Sequence, residues 1–443
     1  MGRLAAILAA FFIAGPVAAT NYYAVVGGAG TMDGSSWENG HPDVQALAQS
    51  LFPTAVNVTN QLWVGAGTWI MTNRMLPASN LWIRGTNRDA TILSGNFTTR
   101  VVLALAANVR LDSVTIANGF HAGYSAARTT NNGAGVLASP SFVATNCVFI
   151  SNVASGYIAG AIYGGRVFNS TLVSNRSIYV PAVSYGGQGA AAYGAELVGC
   201  VVAYNAGLAM YFSTSRNCVV YSNTGGSQLN LCTDFGSMIF GGYADEGGGA
   251  ANSTLKGTTL SNNYANNRGG GIVGSTASNC VFVGNRIGVA WGGTFSGGAA
   301  SRSTLYNCRV FGNTAPVNGG GVSECDVFGC IIESTTAPTY PAAASLKKTI
   351  NCTIVGHTNA APLVQYTNAY VFANNVLWNN ASNGVYNTTN AFNNWTNDPV
   401  FLGDPLYPWK LAAGSPCVDA GDDAYVPSRL SLDFYGRTRS QGL

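Results

Sequence analysis

Cys280-Val281-Phe282-Val283-Gly284-Asn285, followed by Cys308-Arg309-Val310-Phe311-Gly312-Asn313, decides the fold of this chain. A small residue opens each stretch, a short apolar run follows, and Asn closes it five positions on. The same phrase stands at Ser113…Asn118, Cys147…Asn152, Ser170…Asn175, Cys200…Asn205, Cys218…Asn223 and Gly257…Asn262. It continues as Cys330…Thr335, Cys352…His357 and Asn375…Asn380. Most steps are 18 to 30 residues; the step of 34 after Ser113 allows a loop insertion, and the step of 39 from Cys218 to Gly257 fits two shorter turns. A repeat of this period predicts a solenoid, in which each turn buries its apolar face only by stacking on its neighbours.

Within the phrase, the residue two after the start is apolar in most copies (Phe149, Leu172, Val202, Val220, Phe282, Val310, Ile332, Ile354, Leu377). Start and apolar residue share one face of a strand, as a period of two demands, and that face is assigned to the core. The following residue is often apolar too (Ile116, Ile150, Val283, Phe311, Trp378), which predicts that the inward run turns a corner there. The Asn is then placed at the bend, left-handed and bonded to the Asn of the next coil. Gly clusters at 247–249, 269–271 and 319–321 read as the second tight turn of each coil, since no phosphate-loop Lys-Ser/Thr follows them.

Composition agrees. Charged residues are 9% of the chain, hydrophobic residues 47%, and 56 of 443 residues are Gly, which suits short strands and tight turns and not disorder. The net charge of +3 is spread without a basic run, which argues against a nucleic-acid partner. Seven of the ten Cys (147, 200, 218, 280, 308, 330, 352) occupy the small-residue site, which predicts a stacked column of buried thiols.

Residues 1–19 read as a signal peptide: Arg3, an apolar run from Leu4 to Ile13, and Val17-Ala18-Ala19 as the cleavage site. This predicts export, to the medium or the cell surface, with no transmembrane span once the signal is removed. Residues 20–110 form an N-terminal cap and first coils. Val44, Leu47, Ala48 and Leu51 have helical spacing there, which predicts a short helix over the open end of the stack. Residues 111–394 are the β-helix repeats, and 395–443 a C-terminal cap or tail.

The pairing of Gly270-Gly271-Ile272 with Phe282-Val283-Gly284-Asn285, and Phe149-Ile150-Ser151-Asn152, resembles the polymorphic outer-membrane-protein repeat. Leu62-Trp63-Val64-Gly65-Ala66-Gly67-Thr68-Trp69 resembles the first coil of many secreted bacterial β-helix proteins. Asp398-Pro399-Val400-Phe401 and Gly414-Ser415-Pro416-Cys417-Val418-Asp419-Ala420-Gly421 resemble their C-terminal region. The resemblance implies an all-β, right-handed parallel β-helix of the pectin-lyase-like superfamily, here of roughly a dozen coils. It also implies weighing polysaccharide chemistry, because many of that superfamily cleave acidic polysaccharides. Of the polygalacturonase-like motifs only Asp422-Asp423 is matched, and it lies in the tail.

Between Ser113 and Asn397 there are seven acids, and the best pair for glycoside chemistry is Glu324 and Asp326. They flank Cys325, so period two places both carboxylates outside, about 6–7 Å apart by strand geometry. Glu333 is expected to approach them. Tyr221, Trp291 and Trp378 are candidate sugar-stacking rings on a side face. Asp419, Asp422, Asp423 and Asp433 offer hard oxygen ligands for a structural calcium ion, with ordinary turn chemistry as the other reading; no other cofactor is expected. The leading functional expectation is a monomeric surface or secreted binding protein, for adhesion or glycan binding, whose partner is a polysaccharide, a surface glycan or a surface protein. The alternatives are a carbohydrate-active enzyme, lyase or glycoside hydrolase, and a structural surface spacer.

Overall fold

A computed structural model describes residues 19–51, 58–122, 132–156, 158–179, 187–288, 297–338, 342–344, 347–357, 363–364, 371–382, 385–386 and 390–438. Among these, the strands assemble into parallel sheets of 16, 14 and 13 strands, with two further sheets of three. One coil shows the order. Ile162–Tyr163 belongs to the 13-stranded sheet, Arg166–Phe168 to the 16-stranded, Thr171–Val173 to the 14-stranded and Arg176–Ile178 to a short one. Each strand pairs with its counterpart one coil away, as in Thr171–Val173 against Val201–Ala203. This is a parallel β-helix, in the right-handed sense that parallel crossovers adopt.

Corners are made by single residues at positive φ. Asn169 (48°) turns the chain from the 16- to the 14-stranded sheet, and Ser174 (56°) turns it out of the latter. The ladder residue follows that turn: Asn152, Asn175, Asn205, Asn223, Asn263, Asn285 and Asn313 are fully buried. Left-handed geometry and ladder bonding therefore belong to neighbouring residues, not to one Asn as the sequence predicts. The Asn205 amide donates to Leu172 O (2.9 Å) and to Asn223 Oδ1 (2.8 Å), while its Oδ1 accepts from Asn175 (3.0 Å).

The register differs at two copies. Ser113 (φ 56°) and Gly257 (φ 66°) are corner residues, so Val114 and Thr258 hold the small-residue site, and Gly119 and Asn263 the ladder site. The long step after Cys218 does contain two turns, with Ser237 in the small-residue site and Gly242 where an Asn would stand. Gln228, just before strand Leu229–Asn230 of the 13-stranded sheet, fills that vacancy: its Oε1 accepts from Asn223 (2.7 Å) and its Nε2 donates to Asn263 Oδ1 (3.2 Å) and Phe240 O (2.7 Å).

The core is one continuous apolar cluster, including Phe149, Leu172, Val202, Val220, Phe282, Val310, Ile332, Ile354 and Leu377. The next residue in each copy does not turn inward. Ile150, Val283, Phe311 and Trp378 alternate to the outer face and are only partly covered. Ile116 is buried because its copy is shifted by one. Nine cysteines are buried and all ten are free. Cys232 and Cys325 form a second small-residue column, after the corner between the 13- and 16-stranded sheets, with Ser213, Ser253, Ser275 and Ser303. Among the Gly clusters, Gly270 shows why no side chain is tolerated: a Cβ would lie 2.5 Å from both Arg286 O and Gly298 O of adjoining coils.

Val44–Ser50 is the expected helix, capped by the Asp43 carboxylate on the Gln45 and Ala46 amides, with Val44, Leu47 and Ala48 packed into the core beside the first strands. The residues 1–18 of the signal segment lie outside the described residues. No helix among the described residues is long and apolar enough to cross a membrane.

Candidate functional site

The expected acid pair does not assemble. Cys325 faces inward as predicted, but Glu324 sits at the corner with φ 53°, so it and Asp326 are not successive residues of one straight strand. The Glu324 carboxylate is taken by Arg302 Nε at 2.6 Å. Asp326 stands in the 16-stranded sheet between Thr304 and Lys348 of the adjoining coils. Glu333 is on a different sheet, 7% exposed, and bonded to Arg309 Nε (2.5 Å) and the Trp409 indole N–H. The three carboxylates serve three separate places.

Tyr221 and Trp378 share one outward column of the 14-stranded sheet, seven coils apart, which is about 34 Å at the strand spacing. They cannot grip one sugar together. Tyr221 is stacked on Phe240 (5.0 Å between centroids). Trp291 lies outside the described residues. A tighter aromatic array is on the 13-stranded sheet, where Tyr163, Tyr193 and Tyr211 stack at 5.0 and 5.5 Å with Phe212 edge-on to the last. Its sequence signal was one Tyr per coil in register, legible only once the coil boundaries are known.

The proposed calcium ligands are dispersed. Asp422 caps the short helix Asp423–Tyr425 through the Ala424 amide, and Asp433 is paired with Arg437 at 2.9 Å. Among the described residues no three metal-ligating side chains gather.

A large cleft is formed instead by the C-terminal segment, which does not end flat on the stack but runs back along its side. Asn307 Nδ2 holds Leu432 O (3.0 Å), and Asn374 exchanges two bonds with the Asp422 backbone (2.9 and 3.0 Å). Both Asn are corner residues at positive φ, which turns their amides outward. Leu430 is buried against Phe328 and Ile350. Between this segment and the corner at Gly329–Ile331, Asn351–Thr353 and Asn374 lies a cleft of about 970 Å³.

Trp409, Phe434 and Tyr435 line the cleft together with Asp419, Asp423, Asp433, Lys410 and Arg437. Tyr435 packs edge-on to Tyr407 (5.0 Å) and under Arg437 (5.5 Å). Burial raises its phenol pKa; the Trp409 backbone and Arg309 oppose this, and the carboxylates of Glu333 and Asp433 add to it. Asp419 and Asp423 are exposed, and neither forms an ion pair among the described residues. The cleft thus combines ring faces that can stack on a flat apolar surface with carboxylates and cations that can meet polar groups. The sequence signal was the concentration of rings and aspartates after Trp395, which the sequence reading assigned to a cap.

No protein-family model matches the chain, and a search of curated proteins finds no match. Among solved structures, the chain is similar to a mannuronan C-5 epimerase A-module of Azotobacter vinelandii (11% identity, 80% of this chain and 94% of that one, TM-score 0.34). It is similar to the pectate lyase Pel9A (12% identity, 95% and 97%, TM-score 0.27). An alginate lyase determined with a trisaccharide is a further neighbour (10% identity, 95% and 95%, TM-score 0.38). The continuous parallel sheets of this chain make it a parallel β-helix.

Proposed function

We propose that the chain is a carbohydrate-active protein that binds a polysaccharide segment in the cleft between its C-terminal segment and its last coils. The cleft carries this reading: one cavity of about 970 Å³ gathers Trp409, Tyr435, unpaired aspartates and two cations. The reading for this chain rests on its own cleft. Trp409 and Tyr435 stack sugar faces, Asn351 orients hydroxyls, and Asp419 and Asp423 are the acids placed to act at a glycosidic bond. This puts the enzyme alternative ahead of adhesion and moves its acids from Glu324 and Asp326 to the tail. Export to the medium or cell surface belongs to the same proposal and is checked by N-terminal sequencing of the mature protein.

Binding without turnover is the second reading, favoured by the stacked Tyr163–Tyr193–Tyr211 face, which offers rings and no acid. The test is a panel of polysaccharides, neutral and acidic, assayed for new reducing ends, unsaturated products and retardation in affinity gels. Product that disappears in Asp423→Asn while retardation persists supports the enzyme. Retardation without product from the wild type selects the binding reading. Neither product nor retardation across the panel overturns both.

A further inference from the structure

Over seven consecutive strands of the 14-stranded sheet, from Val148–Ile150 to Val281–Val283, the middle residue is buried in the core and its two neighbours point outward. The ladder runs through these strands without a register shift, so the outward residues form two straight columns. None of the fourteen outward residues, two from each of seven strands, is charged, and hydroxyls occur only at Thr171, Thr259, Ser261 and Tyr221. Met238 is 53% exposed, and all the others but Ala203 are partly exposed. Over the same coils the 16-stranded sheet turns Arg166, Glu196, Arg216 and Lys256 outward.

The charge-free strip is closed at both ends. On the coil before Val148, the Thr115 hydroxyl donates to Arg88 O (2.7 Å), which brings a charged turn over the sheet. On the coil after Val281, Arg309 pairs with Glu333 at 2.5 Å, and the Trp409 indole bonds the same carboxylate. Beyond them Ile331, Thr353 and Val376 line the cleft with Trp409 and Leu411, so this face is already a packing surface where the C-terminal segment reaches it. An apolar centre with its charges at the rim is the composition of an interface between proteins.

The strip also has the size and shape to pack on itself. Each outward residue covers about 32 Å², from two rises of about 3.3 Å and a strand spacing of about 4.8 Å. The fourteen cover about 450 Å², and the corner residues on either side bring this to about 700 Å², near the roughly 800 Å² per partner of a specific complex. A two-fold axis along the central strand, Val219–Tyr221, sets two copies antiparallel and uses all seven strands. It lays Phe240 of one copy over Ala203 of the other, a ring on the smallest side chain, and Thr259 over Thr171, hydroxyl on hydroxyl.

We propose that this face joins two copies of the chain, antiparallel and sheet on sheet, where the sequence led to the expectation of a monomer. The interface lies outside the tail cleft, so it stands whether or not the cleft binds sugar.

Sedimentation velocity of the full-length mature protein at about 1–100 µM, a range that an interface of this size reaches, is expected to report a dimer. Val219→Lys sets two ammonium groups against each other at the axis and is expected to weaken association about a hundredfold or more. Thr259→Lys repeats the test off the axis, and Thr276→Lys, outward on the 16-stranded sheet, is expected to leave association unchanged; circular dichroism checks each fold. Peroxide oxidation of the wild type, read by mass spectrometry, needs no variant. Met238 and Met32 are 53% and 47% exposed in the single chain, so the dimer protects Met238 and leaves Met32 reactive. A monomer at every concentration, a dimer of unchanged affinity in both Val219→Lys and Thr259→Lys, or a dimer in which Met238 oxidises as fast as Met32 overturns the proposal. Protection of Met238 that appears in a monomeric sample only with an insoluble neutral polysaccharide gives the face to a glycan and overturns it likewise.

Discussion

Gln228 offers the sharpest test of what holds the solenoid together. Replacing it by Met keeps the side-chain volume and deletes three buried hydrogen bonds. Asn223 Nδ2 loses its 2.7 Å acceptor and keeps Val202 O (3.0 Å) for its other proton. Asn263 Oδ1 loses one donor and keeps the Gly242 amide (3.0 Å). Phe240 O loses a 2.7 Å donor and keeps the Ser222 amide. One N–H is thus orphaned at about 1–3 kcal/mol, and two acceptors drop to a single partner at about 0.5–1 kcal/mol each.

The sum is about 2–5 kcal/mol, against at most about 0.5 for Thr254→Ala on the outer face. Because repeat arrays need not unfold in one step, peptide-resolved hydrogen exchange across residues 219–240 and 259–264 is the suitable assay, with urea unfolding beside it. The loss corresponds to a rise in exchange of about thirty- to a few thousand-fold. Restoring the ladder by Gly242→Asn in the same background is expected to fail, since a Cβ at 242 would lie 2.2 Å from Gly248 O. A loss under about 1 kcal/mol in Gln228→Met, with the fold intact, would refute the view that the side chain bridges the ladder.

Three further expectations concern thiols, a buried imidazole and the C-terminal segment. Nine cysteines are buried, and burial pushes the thiols of Cys147, Cys232 and Cys325 up to about 12. A thiol reagent at pH 8 should therefore label one group quickly, Cys417, and the other nine only on denaturation; several fast equivalents would contradict the buried columns. His357 takes a ladder position between Thr335 and Asn380, and burial lowers its pKa to about 4. The unfolded chain binds this proton near pH 6.5, so the contribution is complete above that pH and is lost as pH falls toward 4, at most about 3 kcal/mol. His357→Asn should flatten the stability profile in that window, and an unchanged slope would count against it. Trp409→Phe keeps a ring and removes the N–H bonded to Glu333. A charge-assisted bond of about 1.5–3 kcal/mol predicts proteolysis after residue 395 some ten- to a hundred-fold faster, and an unchanged rate would show that the segment is held by other contacts.

The repeat was legible because one stacking rule is imposed on every coil: a small residue fits behind each corner, an apolar residue follows inside, and a buried amide meets its copy above. Register slipped at Ser113 and Gly257 because a corner takes Ser or Gly as readily as the small-residue site does. The replacement of an Asn by Gln228 was not legible, since it comes from another side of the coil, 14 positions away from Gly242 in sequence. Glu324 and Asp326 were read as one strand because nothing local marks a Glu for positive φ. The tail cleft was missed for a related reason. Whether a non-repeating segment lies flat on the last coil or runs back along the side depends on contacts such as Asn307 with Leu432, 125 residues apart. The aspartates were visible as a group but not their partners, Arg437 among them.

The proposal that this β-helix is carbohydrate-active through its tail cleft is tested most directly by hydrogen exchange with and without a saturating oligosaccharide, chosen from the polysaccharide that is retarded or cleaved. Binding in the cleft predicts slower exchange at residues 329–331, 351–353 and 374–376 and along 409–438, with the Tyr163–Tyr193–Tyr211 face unchanged. Protection confined to that tyrosine face, or to any other coil surface, would contradict it.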